Sequence, residues 1–74
     1  MKVKLKLFAS LRKDRFKEKV IAVNEGTTPF DLLQQFGIER EEAAILLING
    51  RDGELDRELQ DGDVVSVFPP LGGG

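Results

Sequence analysis

The last seven residues, Phe68-Pro69-Pro70-Leu71-Gly72-Gly73-Gly74, form the segment whose residue types and spacing point most directly to chemistry. Pro69 has no N–H and must end any strand that reaches it. Two prolines in succession favour a stiff, extended backbone that steers the chain off the body. Three glycines follow, so no side chain lies beyond Leu71. Fully extended, the stretch from Pro69 onward reaches roughly 20 Å. A backbone without Cβ atoms can approach another group more closely than any other. What such a thread would deliver is the Gly74 carboxylate. An α-carboxyl with a pKa of about 3.3–3.7 is ionised at neutral pH and is a poor electrophile. It must be activated before a nucleophile can attack it, and adenylation by ATP supplies the leaving group. The sequence has no Gly-x-x-x-x-Gly-Lys loop to cradle phosphates, so the activating site is expected on another protein. The plain alternative is a frayed chain end.

Ordering three glycines on docking costs about 3–6 kcal/mol and buries little apolar area in return. The body must therefore supply binding energy. In the strand that feeds the tail, Val64, Ser66 and Phe68 point one way and Val65 and Val67 the other. With Val65 and Val67 inward, Val64 and Phe68 lie on an open face, joined by Phe8. Such an exposed apolar patch marks a partner site; the alternative is that one of these residues extends the core.

Other chemistries are poorly provided for. The 74 residues include no Cys and no His, so there is no thiolate nucleophile, no disulfide framework and no histidine base or ligand. Trp and Tyr are also absent, and an enzyme acting alone is not expected. Asp52, Glu54, Asp56, Glu58, Asp61 and Asp63 are dense, but the Asp-x-Asp-x-Asp-Gly calcium pattern is not met. Residues 1–19 hold eight Lys or Arg and two acids, whereas the remainder holds three Arg and eleven acids. The overall charge of −2 and the lack of an Arg-rich helix argue against nucleic acid as a partner. Lysines alternating along a strand instead discourage edge pairing. The longest apolar run is the six residues from Ala43 to Ile48, where a membrane span needs about 20. No membrane association is expected, and the missing Cys and signal-like stretch suit a cytoplasmic protein.

The elements that must position the tail can be read from periodicity. Val3, Leu5 and Leu7 alternate with Lys2, Lys4 and Lys6, a half-buried strand that Phe8 ends or leaves by pointing outward. Ala9 to Arg15 reads as a polar loop. Phe16 to Val23 reads as a second strand of ambiguous inward phase. Thr28 can cap a helix that has Pro29 in its first position and Asp31 completing a capping box. Leu32, Leu33 and Phe36 share one helical face, Phe30 lies near its edge, and Gly37 is a natural stop. After the charged connector Glu39 to Glu42, the apolar run Ala44 to Ile48 suits a central strand, and Asn49-Gly50 signals a turn. Arg51 to Gln60 is a polar excursion anchored by Leu55 and Leu59. Asp61-Gly62-Asp63 is a tight turn, and Val64 to Phe68 is the last strand. For so short a chain, the economical packing is an α+β domain with a four- to five-stranded mixed sheet on one main helix. Its first and last strands would run side by side in the middle. The domain is expected over residues 1–68, with 69–74 as a flexible tail.

These residues resemble the MoaD/ThiS family of sulfur carriers, which have the ubiquitin-like β-grasp fold. The resemblance runs through Leu7-Phe8-Ala9-Ser10-Leu11-Arg12, Thr28-Pro29-Phe30-Asp31-Leu32-Leu33, Ile48-Asn49-Gly50-Arg51 and Leu59-Gln60-Asp61-Gly62-Asp63. Its most specific part is Phe68 to Gly74, similar to the phenylalanine, two prolines and closing glycine pair of the molybdopterin synthase small subunit. The resemblance implies that a ubiquitin-activating-type enzyme adenylates Gly74 with ATP and magnesium, and that this chain binds neither. A sulfur donor then makes the thiocarboxylate. A large synthase subunit accepts the tail, and the sulfur goes to a pterin precursor of the molybdenum or tungsten cofactor. On this reading Gly74 carries the sulfur and Gly73 threads the channel. Phe68, Pro69, Pro70, Leu71 and Gly72 form the docking stretch, with Val64 and Phe8 beside it.

Gly72 stands where molybdopterin subunits often have Ala or Ser, and three closing glycines also occur among thiamin-pathway carriers. The alternatives are thus a carrier for thiamin thiazole synthesis, with a thiazole synthase as partner, and a modifier joined through Gly74 to lysines. A plain interaction domain with an idle tail is the remaining one.

Overall fold

The computed structural model describes residues 1–71. Strand β1, Lys2–Leu7, buries Val3, Leu5 and Leu7 almost completely and turns its lysines to the other face. A 3₁₀ turn at Ala9–Arg12 leads to β2, Glu18–Ala22. Helix α1, Pro29–Gln35, follows, then a second 3₁₀ turn at Arg40–Glu42. Strands β3, Ile45–Ile48, and β4, Arg51–Asp52, form a hairpin, and β5, Val64–Phe68, ends the body. The sheet order is β2-β1-β5-β3-β4. Strands β1 and β5 pair in parallel, and all other neighbours pair antiparallel. The first and last strands are therefore adjacent at the middle of a five-stranded mixed sheet on one helix, the β-grasp arrangement.

Helix α1 forms where the sequence places it. Thr28 Oγ1 accepts from the Asp31 N–H at 3.2 Å, and Asp31 Oδ2 accepts from the Thr28 N–H at 3.1 Å, closing the capping box. Gly37, at φ +68°, turns the chain away. A helix of only seven residues is not stable alone. It is held because Leu32 and Leu33 pack fully into the core with Val3, Leu5, Leu7, Val65 and Val67. The Asn49-Gly50 turn is also as expected: both residues have positive φ, which suits the twist of a two-residue hairpin.

Three expectations need correction. The polar loop at Ala9–Arg15 contains the 3₁₀ turn, and its Leu11 is core, 2% exposed. A single apolar residue in a polar stretch shows no periodicity, so only the tertiary contact reveals it. The second strand is shorter than Phe16–Val23: Phe16 leaves the ladder to pack edge-on against Phe36, with ring centres 5.1 Å apart. Its phase is resolved with Ile21 and Val23 inward and Val20 outward. The apolar run beginning at Ala44 yields a strand only from Ile45; it lies inside the sheet between β5 and β4, as expected, but is not buried along its whole length. Helix α1 covers one face of the sheet, so Leu46 and Ile48 are buried while Ile45 stays exposed. Among the described residues, no helix is long and apolar enough to cross a membrane.

Candidate functional site

The ladder between β1 and β5 continues one residue past β1, where the Phe8 N–H donates to the Val67 carbonyl at 3.2 Å. Strand alternation then puts Phe8 on the same face as Lys4 and Lys6, away from α1. Phe68 ends β5 on that face, and the two rings stack with centres 4.2 Å apart and planes 11° from parallel. The burial pattern of β5 has Val65 and Val67 fully covered and Val64, Ser66 and Phe68 half-covered. Phe8, Phe68 and Val64 thus all lie on the uncovered face. Phe8 and Phe68 touch; Val64 sits at the far end of the strand, opposite Lys4.

Beyond Phe68 the chain leaves the sheet. Pro69 is half-buried, Pro70 is exposed, and Leu71 is 94% exposed. A groove of about 390 Å³ runs along this root, lined by Ala9, Ser10, Ile45, Phe68, Pro69, Pro70 and Leu71. Gly72, Gly73 and Gly74, the expected docking and reacting positions, lie outside the described residues.

Two residues at this surface escaped the reading of the sequence. Ile45 pairs with Phe68 across β3 and β5 and is 45% exposed. Its signal was the apolar run itself: a sheet with one helix has one covered face, so half of a strand's apolar residues must face outward. Arg12 is the other. Its Nε donates to the Leu7 carbonyl at 2.6 Å, and its guanidinium lies 5.1 Å from the centre of the Phe8 ring. This attraction between cation and ring adds to the stack and places positive charge beside the apolar patch. Lys6 and Lys17 line the same hollow as Arg12 and Phe8.

The opposite end of the sheet is a clamp. Asp63, 6% exposed, accepts from Asn49 Nδ2 at 2.9 Å and from the Gln60 N–H at 2.8 Å. Asn49 Oδ1 in turn accepts from the Val64 N–H at 2.9 Å, and Arg57 lies 3.6 Å from Asp63. The expected tight turn is present, but Asp63 is a buried joint between the hairpin and β5 rather than a mere flank. The clamp fixes the start of β5, and hence the direction in which Phe68 and the prolines leave. Among the described residues, no group of three or more His, Cys, Asp or Glu is placed to hold a metal ion.

A model of the ThiS family matches residues 5–74. Among solved structures, the putative molybdopterin converting factor subunit 1 from Pyrococcus furiosus is 36% identical, with 96% of this chain and 99% of that one covered and a TM-score of 0.75. A complex of subunits 1 and 2 of the molybdopterin-converting factor from Helicobacter pylori includes a chain 26% identical, with both chains fully covered and a TM-score of 0.66. The small archaeal modifier protein 1 of Haloferax volcanii has the same fold at 21% identity, with 95% and 98% covered and a TM-score of 0.74. With nearly its whole length matched, the chain belongs to the ThiS family, sulfur carriers of the ubiquitin-like β-grasp fold.

Proposed function

We propose that this ThiS-family chain is a ubiquitin-like carrier whose Gly74 carboxyl is activated by a partner enzyme and then passed on as an acyl group. The family match, which runs through the three closing glycines, is the observation that carries this reading. In the first step a carboxylate oxygen of Gly74 attacks the α-phosphorus of ATP, and pyrophosphate leaves. The resulting acyl adenylate has AMP as its leaving group. A sulfur nucleophile that displaces AMP leaves a thiocarboxylate; a lysine amine that displaces it leaves an amide. The chain itself contributes the thread, through Gly72, Gly73 and Gly74, and the docking surface of Phe68, Pro69, Pro70 and Leu71 with Phe8 and Ile45. Val64 extends the same face.

A role confined to molybdopterin synthesis is narrower than its support. The family model is that of ThiS, and the structural relatives include both a modifier and molybdopterin-converting-factor subunits. The wider alternatives, a carrier for thiamin thiazole synthesis or a lysine-directed modifier, are therefore favoured over that single pathway. The Helicobacter pylori complex supports a larger subunit as the tail's acceptor. The test incubates the full chain with its cognate activating enzyme, ATP, magnesium and sulfide, and measures intact mass. A shift equal to one oxygen replaced by sulfur is expected, and its absence would overturn the sulfur-carrier reading. Lysine-linked conjugates in cells that vanish on deletion of Gly74 would select the modifier.

A further inference from the structure

The two edges of the sheet differ. The β4 edge is two residues long. The β2 edge runs over Glu18–Ala22 with no proline and no bulge in its register. The Lys17 carbonyl accepts from the Leu7 N–H at 2.9 Å, and the Val23 N–H donates to the Met1 carbonyl at 2.8 Å. Odd-numbered residues therefore turn their backbone groups toward β1. By strand alternation the N–H and C=O groups of Glu18, Val20 and Ala22 face away from the sheet. This is a ready template for one more strand.

The side chains on this edge define what would pair with it. Val20, 59% exposed, stands on the uncovered face. On the helix side the edge is flanked by the crossed rings of Phe16 and Phe36, with Lys19 Nζ 5.7 Å and 6.0 Å from their centres. Lys17 and Lys19, both exposed, stand at the start of this edge and on it, and the intervening Glu18 is already 3.4 Å from Lys4. These cations oppose a second copy. Antiparallel self-pairing about Val20 would set the two Lys19 residues on a diagonal about 7–8 Å apart, and pairing about Lys19 would set them face to face.

We propose that the β2 edge is a docking site for an extended acidic segment of another protein. The segment pairs its backbone with Glu18, Val20 and Ala22, sets alternate apolar side chains against Val20 and the Phe16–Phe36 pair, and places its flanking carboxylates near Lys17 and Lys19. Strand β1 lies between this edge and β5, and only Lys17 and Glu18 also line the hollow beside Phe8 and Arg12, so peptide binding at the edge is read independently of acyl transfer at Gly74.

The test uses the full chain and two probes, Ac-Asp-Glu-Val-Ile-Val-Ile-Asp-Glu-NH2 and the same peptide with Lys-Arg at both ends. Amide hydrogen exchange is followed residue by residue. The acidic probe is expected to slow exchange at Glu18, Val20 and Ala22 at least tenfold, leaving Lys19 and Ile21 as they were. Its affinity should exceed that of the basic probe at least tenfold and fall as salt is raised. Val20→Pro removes one outward N–H and should abolish binding. Lys17→Glu with Lys19→Glu, which leaves every backbone group in place, should reverse the preference between probes. Unchanged exchange at those three amides under saturating acidic probe would overturn the proposal, as would equal affinity for both probes. Protection that rises with protein concentration alone, with a doubled mass in sedimentation, would overturn it in favour of self-pairing.

Discussion

Asp63 shows how much one side chain can join. Its carboxylate takes hydrogen bonds from the β3–β4 turn and from the Gln60 backbone, while its own carbonyl accepts from the Lys4 N–H at 2.9 Å. Asp63→Ala removes the acceptor of the part-buried bonds from the Asn49 amide and the Gln60 N–H, and each such bond lost costs about 0.5–1.5 kcal/mol. Thermal unfolding should show a fall in Tm of about 4–8 °C per kcal/mol lost, the scale for a domain of this size. Gly53 is a second such position, for steric rather than polar reasons. A Cβ there would stand 2.6 Å from Ile48 Cγ1, and Ile48 is core. Gly53→Ala should cost about 1–3 kcal/mol, as overpacking does, measured by chemical denaturation. Gly50, where a Cβ would meet nothing within 4 Å, is the control for crowding, its own penalty coming from φ +81°.

Among the elements, α1 depends most on its ends. Seven residues give two turns, and few of the backbone N–H groups have an intrahelical partner. Thr28 and Asp31 satisfy two of them reciprocally. Thr28→Ala should cost about 1 kcal/mol, readable as a lower denaturation midpoint at unchanged m-value. Strand β5 does the opposite work. Its inward residues secure it to the core and leave its outward residues free to serve the tail root. Ile45→Ser on the neighbouring β3 removes apolar surface that is already 45% exposed. Stability should therefore change by no more than about 1 kcal/mol, whereas affinity for an activating enzyme or tail acceptor should fall at least tenfold, measured by calorimetry. Equal loss of both would make Ile45 a structural residue.

For the whole molecule, the proposed function divides a body that folds from a tail that reacts. Among the described residues, the buried core lies between Val3 and Val67. Deleting Gly73 and Gly74 should leave Tm unchanged within about 1 °C, because surface changes away from packed features stay within ±0.5 kcal/mol. The same deletion should abolish acyl transfer, followed by intact mass. A lowered Tm in that variant would place the tail on the body.

Period-two alternation in β1 and β5, the Thr28–Asp31 box and the Asn49-Gly50 turn were all legible in the sequence, because each is a local signal whose partners lie within a few residues. The end of β5 at Phe68 was legible for the same reason: the prolines that follow dictate backbone behaviour without help from neighbours. What local signals could not carry was decided by the tertiary structure. Leu11 becomes core because a turn folds it beneath the sheet. Asp63 becomes a joint because Asn49, fourteen positions earlier, is brought to its side chain. Ile45 and Arg12 join the Phe8–Phe68 stack because β3 and the first turn converge on the end of β5. Those contacts depend on which strands are neighbours and which face the single helix covers, and both are properties of the assembled sheet rather than of any one stretch of residues.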